Sequence, residues 1–222
     1  MDIVIPEKAA LLKRLAKGGF NVPEFIYVSA ADFKKENFED LEAFLEQHRE
    51  SFKVIARSAH LKEEFFKGGT FDSLEIYADL GGIKYARKKI INLAKTAKQL
   101  SIRRQQKFSN APDIKIENMG MIIMPFISGA SVMAKMIGNR WEFGYSRDRS
   151  HKIQREPYIT RTPHDISLLQ LSEDIQKYLG FKCEIEFVIS EQGEIYVVQA
   201  KDISHIDPIE LKLGERSVHL DG

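Results

Sequence analysis

Apolar residues recur at helical spacing in the first half of this chain. One such stripe predicts a helix from Glu7 to Lys17, which the glycine pair at 18–19 ends. A second stripe predicts a longer helix over residues 83–107, and its apolar positions are Ile83, Ala86, Ile90, Leu93, Ala97 and Leu100. The other face of this helix carries lysines and an arginine. We expect that face to be solvated rather than to bind nucleic acid.

Short polar signatures mark three further helix starts. Ser29 with Asp32, and Asn37 with Asp40, both match the capping box, in which a small polar residue is followed three positions later by an acidic one. Asp165 precedes a third apolar stripe of helical spacing. We therefore expect a helix to begin at each of these places.

Apolar runs bounded by turn residues predict strands, most of them in the second half of the chain. The predicted strands cover residues 53–57, 119–127, 132–137, 141–145, 183–189 and 194–201. Helices are thus mostly early and strands mostly late. This order is typical of an α+β fold and argues against a doubly wound parallel sheet.

The best boundary between two lobes is the segment 109–113, which contains Asn110 and Pro112. We expect a helix-rich N-terminal lobe over residues 1–113 and a strand-rich C-terminal lobe over residues 114–204. Residues 205–222 show little regular pattern, and we interpret them as a tail or as a truncated linker.

The last two predicted strands form a hairpin with polar side chains on one face. Side chains alternate across a strand, so a two-residue loop at 192–193 would place Glu186 opposite Gln199 and Glu184 opposite Lys201. Carboxylate, amide oxygen and ammonium groups gathered there suit a divalent cation and an anionic ligand. Two alternatives stay open on this segment alone: a three-residue loop with a bulge would separate the pairs, and the face could be merely solvated.

Composition narrows the function classes. The chain has 222 residues and a net charge of +1, so no overall field selects nucleic acid or an acidic membrane surface. Cys183 is the single cysteine, which excludes an internal disulfide and a cysteine-rich zinc site. The sequence shows no signal peptide and no apolar run of membrane-spanning length, and we expect a cytoplasmic protein.

Two more segments carry residue types that bind phosphates. Arg57 ends a short apolar strand, where a guanidinium can clamp a phosphate through two parallel hydrogen bonds. Gly69 and Thr70 lie in a glycine loop in which backbone N–H groups and hydroxyls could approach phosphate oxygens. No Gly-Lys-Ser/Thr follows, so this loop is not a Walker loop.

These segments, taken in order, resemble the nucleotide-binding domain of phosphoenolpyruvate synthases and pyruvate phosphate dikinases. The arginine strand at 54–59 and the glycine loop at 69–74 resemble the corresponding parts of that family, and so does the hairpin at 184–201. The opening helix with Pro23 and the strand at 122–127 are similar to the entry and inter-lobe strands of the family. The resemblance covers most of the chain, from about residue 8 to residue 204.

The resemblance implies an ATP-grasp fold that holds ATP and Mg²⁺ between two α+β lobes. It implies phosphate contacts for Lys8, Arg57 and Lys201, with Arg57 and Lys201 as the catalytic cations, and backbone donors from Gly69 and Thr70. Met124 and Phe126 would lie beside the adenine. Glu186 and Gln199 would hold Mg²⁺.

The sequence departs from the family at several of these places. Lys201 stands where the family has an arginine, so the charge is kept while the two-pronged geometry is lost. Met124 replaces the usual glutamine. The family's further acidic metal ligand has no evident counterpart, and Asp148 and Glu156 are the candidates to replace it.

Three functions are consistent with this pattern. The first is the ATP-binding part of a phosphoenolpyruvate-synthase-like phosphotransferase, which passes a phosphoryl group to a histidine on another domain or chain. The second is a catalytically degenerate module of the same fold that binds a nucleotide or docks a partner. The third is an ATP-grasp ligase that acts on a carboxylate.

Overall fold

The computed structural model describes residues 5–63, 73–104, 115–137, 140–146 and 163–204. Within them the helices are α1 (Glu7–Lys17), α2 (Ala30–Lys35), α3 (Glu39–Gln47), α4 (Leu80–Arg104) and α5 (Asp165–Leu179), with a 3₁₀ turn at Ile116–Asn118. The strands are β1 (Ile26–Val28), β2 (Lys53–His60), β3 (Ser73–Tyr77), β4 (Met119–Pro125), β5 (Gly129–Ile137), β6 (Arg140–Ser146), β7 (Cys183–Ser190) and β8 (Ile195–Asp202). The α+β class expected from the sequence is confirmed.

The chain divides into two compact units at places other than the expected boundary at residue 113. Residues 1–10 and 24–126 form the first unit, and residues 11–23 and 127–222 form the second. Strand β4 belongs to the first unit because it pairs with β1 and with β2 of that unit's sheet. The predicted linker at 109–113 lies outside the described residues.

The first unit is a four-stranded antiparallel sheet with strand order β1-β4-β2-β3. One face of the sheet packs Val54 and Ala56 of β2 against a core to which α3 and α4 contribute Leu41, Ile83 and Ile90. The central strands are also covered on their other face, where Ile122 of β4 has no exposed surface. Strands buried on both faces need apolar residues at successive positions, as the sequence of β4 shows.

Side chains accept hydrogen bonds from backbone amides at the starts of two helices in the first unit, α2 and α4. Ser29 caps α2 through a complete capping box with Asp32, as predicted. The second predicted box, at Asn37, is wrong, because α3 begins after Phe38 without a side-chain cap. Helix α4 begins earlier than predicted, since the Asp79 carboxylate accepts a hydrogen bond from the Gly82 amide at 2.6 Å.

One residue of the predicted α4 stripe faces away from the core. Leu93 is 42% exposed, whereas its neighbour Ala94 is fully buried. A stripe repeating every 3.6 residues reaches position 94 rather than 93 after Ile83, Ala86 and Ile90. Leu93 is therefore a surface residue.

The second unit is a four-stranded antiparallel sheet with strand order β6-β5-β7-β8. Phe187 of β7 is fully buried in its core, together with Leu168 and Ile175 of α5 and Leu15 of α1. Arg14 donates to the Tyr178 carbonyl at 3.0 Å, and the Tyr178 hydroxyl donates to the Arg14 carbonyl at 3.2 Å. None of the helices in the described ranges has the length and apolar character that crossing a membrane requires.

Candidate functional site

The β7–β8 hairpin places the predicted polar pairs opposite one another. Glu186 pairs with Gln199, and Glu184 pairs with Lys201. Directly opposed residues of an antiparallel ladder point to the same face, so all four side chains lie on one face of the second unit's sheet. The buried residues Ile185 and Phe187 point to the other face, into the core.

This pairing arises from two irregularities that cancel, and not from the two-residue loop expected. The Ser190 amide donates to the Glu194 carbonyl at 2.8 Å, which leaves a three-residue loop ending at Gly193. Gly193 has a φ of 85°, the left-handed conformation that a loop of this length requires at its last position. Val198 then bulges out of the ladder, because Phe187 pairs with Val197 while Glu186 pairs with Gln199. The bulge shifts the register back by one residue, so the expectation that a three-residue loop with a bulge would put the two pairs on opposite faces is wrong.

Glu186 and Gln199 are in direct contact. The Gln199 Nε2 donates a hydrogen bond to the Glu186 Oε1 at 3.0 Å, and both side chains are partly buried. Met133 of β5 is the neighbour of Glu186 on its other side in the sheet. A carboxylate that is partly screened from water and oriented by an amide is well placed to bind a cation.

These two residues fit Mg²⁺ only as part of a larger set of ligands. Among the described residues there is no group of three or more His, Cys, Asp and Glu side chains that could hold a metal ion. Mg²⁺ commonly binds one or two protein oxygens and completes its six positions with water and phosphate oxygens. The pair therefore suits a Mg²⁺ ion that arrives with phosphates, provided that the Gln199 amide turns its oxygen toward the ion.

A row of alternating charges crosses the same face beside this pair. Glu142 of β6, Lys135 of β5, Glu184 of β7 and Lys201 of β8 are successive cross-strand partners. The Lys135 Nζ lies 3.8 Å from the Glu184 Oε2, and the two side chains are 24% and 20% exposed. The polar face is thus an ordered network rather than a freely solvated surface. Sequence reasoning missed Lys135 and Glu142, whose only signal was their alternation along β5 and β6.

Arg57 and Met124 lie on the face of the first unit's sheet that points away from the main core. Arg57 of β2 pairs with Ile122 of β4, and Met124 lies two residues further along β4 opposite Ile55, so Arg57 and Met124 share a face. Met124 is 1% exposed. The Phe126 amide donates to the Lys53 carbonyl at 3.1 Å, which continues the ladder beyond β4.

Lys8 forms an ion pair with Glu63, and both side chains are largely buried. A phosphate contact by Lys8 would therefore have to compete with this carboxylate. Gly69 and Thr70 lie outside the described residues, as do Asp148 and Glu156. The structure thus brings Glu186, Gln199 and Lys201 together in the second unit.

Two residues with potential chemistry have structural roles. His60 is 4% exposed, accepts a hydrogen bond at Nδ1 from the Lys62 amide at 3.1 Å, and has Nε2 3.0 Å from the Lys115 carbonyl. Both ring nitrogens of His60 thus contact the backbone, which gives this side chain a structural role. Burial, with a smaller contribution from Asp202, raises the pKa of the Cys183 thiol to about 12, so this thiol is not a nucleophile at neutral pH.

Comparisons with known proteins found similar solved structures, all of low sequence identity to this chain. No family model and no curated protein matches the chain. Among solved structures it is similar to the D-alanine-D-alanine ligase from Coxiella burnetii, with a TM-score of 0.49 and 12% identity over 89% of this chain and 48% of the other. It is also similar to the D-alanine–D-alanine ligase from Bacillus anthracis complexed with ATP, with a TM-score of 0.48 and 14% identity over 88% of this chain and 54% of the other.

A further similar structure is the RimK domain protein ATP-grasp from Sphaerobacter thermophilus. Its TM-score is 0.49, with 18% identity over 95% of this chain and 62% of the other. The chain thus spans about half to three fifths of the length of these structures. At this distance the similarities do not establish an activity, and membership of the phosphoenolpyruvate synthase family stays a prediction.

Proposed function

We propose that this chain is an ATP-grasp protein that binds ATP with Mg²⁺, and that the β7–β8 hairpin provides the metal and phosphate contacts. The observation that carries the proposal is the Glu186–Gln199 pair, whose side chains meet at 3.0 Å on a partly buried face. Lys201 lies two residues beyond Gln199 on the same face of the sheet.

Each residue has a distinct task in this proposal. Glu186 and Gln199 contribute oxygens to the magnesium ion, whose charge offsets that of the phosphates. Lys201, the cross-strand partner of Glu184, contributes a compact positive charge.

The experiment is titration calorimetry of ATP binding in the presence and absence of Mg²⁺. Glu186→Gln removes the charge and keeps the shape, so we expect Mg²⁺-dependent affinity to fall at least about tenfold. Glu194→Gln is the matched control, because it removes an exposed carboxylate from the same hairpin, outside the polar pairs. Equal ATP affinities for the wild type and Glu186→Gln would refute the assignment.

The phosphoryl acceptor separates the three hypotheses. In a ligase, a carboxylate oxygen would bond to the γ-phosphorus as the bond to the β-phosphate oxygen breaks, which gives ADP and an acyl phosphate. In a phosphoenolpyruvate-synthase-like enzyme, a histidine nitrogen would replace the carboxylate. We favour the ligase reaction, because two of the similar solved structures are named as ligases.

Products of labelled ATP distinguish these reactions. An acyl phosphate is trapped by hydroxylamine as a hydroxamate, whereas a phosphohistidine is acid-labile and yields none. The assay supplies amino acids and short peptides as carboxylate acceptors. Phosphate transfer that is insensitive to hydroxylamine would favour the histidine reaction, and ATP binding without turnover would favour the degenerate module.

A further inference from the structure

Helix α4 carries a groove on its exposed face, away from the core of the first unit. The groove has a volume of about 350 Å³ and is lined by Tyr85, Lys88, Lys89, Asn92, Leu93 and Thr96. These positions follow the helical repeat along one stripe. Its volume is at the lower end of the range for ligand pockets, so the groove suits a few side chains rather than a large ligand.

Apolar surface is exposed in the middle of this basic helix. Tyr85 is 60% exposed and Leu93 is 42% exposed, although the adjacent residues Ala86 and Ala94 are fully buried. Single exposed apolar residues are common on protein surfaces. Here the two side chains line one groove, and the Lys89 Nζ lies 6.0 Å from the centre of the Tyr85 ring.

The lysines that border the groove differ from Lys84, Arg87 and Lys95 of the same helix. Lys84 pairs with Glu36 at 3.4 Å, and Lys95 pairs with Glu117 at 2.6 Å. Arg87 donates to two backbone carbonyls, those of Met119 and Glu117. These three cations stabilise the unit itself.

Lys88 and Lys89 are both exposed. Neither lies within ion-pair distance of a carboxylate in the described part of the chain. The sequence of α4 contains no Asp or Glu that could neutralise them from the same helix. The rim of the groove is therefore positively charged and its floor is partly apolar. Such a surface complements a ligand that presents carboxylates beside an apolar side chain.

We propose that this groove binds an acidic peptide segment, with its carboxylates on Lys88 and Lys89 and an apolar side chain between Tyr85 and Leu93. Nucleic acid is a poorer match, because its affinity grows with the number of phosphate contacts and, within the described part of the chain, two cations line the groove. The net charge of +1 also provides no long-range attraction for a polyanion.

The experiment measures fluorescence anisotropy of labelled peptides with the full chain. The first probe is a peptide of glutamates and leucines, compared with one in which lysine replaces glutamate and one in which serine replaces leucine. Single-stranded oligothymidylate is a separate probe. We expect only the glutamate–leucine peptide to bind, with an affinity that falls as salt is raised.

Two variants and a control locate the site. Lys88→Glu and Tyr85→Ala should each weaken binding by roughly fivefold to tenfold, as expected for a reversed rim charge and a lost aromatic contact. Lys34→Glu makes the same charge change at an exposed position of α2 and should leave affinity unchanged. Thermal unfolding confirms that each variant is folded.

Several outcomes would overturn the proposal. These are the absence of binding by the glutamate–leucine peptide, equal binding by the lysine–leucine peptide, or equal losses in Lys88→Glu and Lys34→Glu. Tighter binding of oligothymidylate with the same dependence on Tyr85 and Lys88 would assign the groove to nucleic acid instead. The groove shares no residue with the β7–β8 hairpin, so its test is independent of the ATP titration.

Discussion

Exchanging the two members of the Glu186–Gln199 pair tests whether they act as a unit. They are cross-strand partners joined by a 3.0 Å hydrogen bond. Glu186→Gln alone leaves two amides, and Gln199→Glu alone leaves two carboxylates. The double variant Glu186→Gln/Gln199→Glu restores one carboxylate and one amide on the same face, with the charge on β8 instead of β7.

The contact geometry sets the expected losses of unfolding free energy. A hydrogen bond to a charged group contributes about 1.5–3 kcal/mol and a neutral one about 0.5–1.5 kcal/mol, so Glu186→Gln should cost about 1 kcal/mol. Two carboxylates about 4 Å apart repel by roughly 4 kcal/mol at an effective dielectric constant of 20. The pair is only partly buried and one group can take up a proton, so we expect Gln199→Glu to cost about 1–2 kcal/mol. The double variant should recover to within about 0.5 kcal/mol of the wild type.

Magnesium adds a second measurement to the same four proteins. In Gln199→Glu the two carboxylates attract a divalent cation, so Mg²⁺ at ten times its dissociation constant should raise the unfolding free energy by about 1.4 kcal/mol. The wild type and the double variant have a single carboxylate in the pair and should respond less. Urea unfolding with and without MgCl₂ provides the free energies, and calorimetry provides the ATP affinities.

Two results would refute this reasoning. If the double variant loses the sum of the two single losses, Glu186 and Gln199 do not act as a pair. If all four proteins bind Mg²⁺ and ATP with the same affinity, the pair is not a metal site, however well the stabilities agree.

Three further predictions concern stability and reactivity. The Cys183 thiol, with its pKa raised to about 12, should resist iodoacetamide at pH 8 until urea unfolds the chain. Its contribution to the free energy of unfolding should be lost as the pH rises from about 9 toward 12. Gly129→Ala should lower the free energy of unfolding, measured in urea, by more than about 3 kcal/mol, because its Cβ would lie 1.9 Å from a backbone oxygen of β7. Gly180 also has a positive φ but has open space around it, so Gly180→Ala should lower this free energy by about 1–2 kcal/mol. Arg87→Leu should cost about 2 kcal/mol because two backbone carbonyls lose their donor, whereas Lys88→Leu should be nearly neutral.

Each of these predictions has a contradicting outcome. Rapid alkylation of the native protein would show that the thiol is accessible. Equal losses for the two glycine variants would mean that backbone conformation alone, without a steric clash, determines the cost. An Arg87→Leu protein as stable as Lys88→Leu would show that the guanidinium contributes nothing to the unit.

Local signals in the sequence predicted those elements whose formation depends on nearby residues. Helix α1 has the predicted bounds, Glu7–Lys17, because its apolar stripe and the following glycines all lie within a few turns. The Ser29 capping box formed for the same reason. The prediction of Asn37 as a helix cap was wrong, because α3 begins after the next residue, Phe38. The prediction of Leu93 as a core residue was also wrong, because the next residue, Ala94, occupies the buried position.

The hairpin shows how a correct prediction can have an incorrect basis. A two-residue loop would give the observed Glu186–Gln199 pairing directly. The protein instead uses a three-residue loop and a bulge at Val198, so that Val197 and Ala200 both reach the core while Gln199 and Lys201 stay on the polar face. Neither irregularity has a clear local signature, because each becomes favourable only when the strand packs.

The order of the helical and strand patterns along the chain was enough to predict the class of fold. Strand alternation was enough to place Glu184 with Glu186, and Gln199 with Lys201, on one face of each strand. Tertiary structure alone decided that β4 joins the first sheet, that Lys8 pairs with Glu63, and that Lys135 lies beside Glu184. These contacts join residues distant in sequence. They depend on how whole sheets and helices pack, which no short window of sequence encodes.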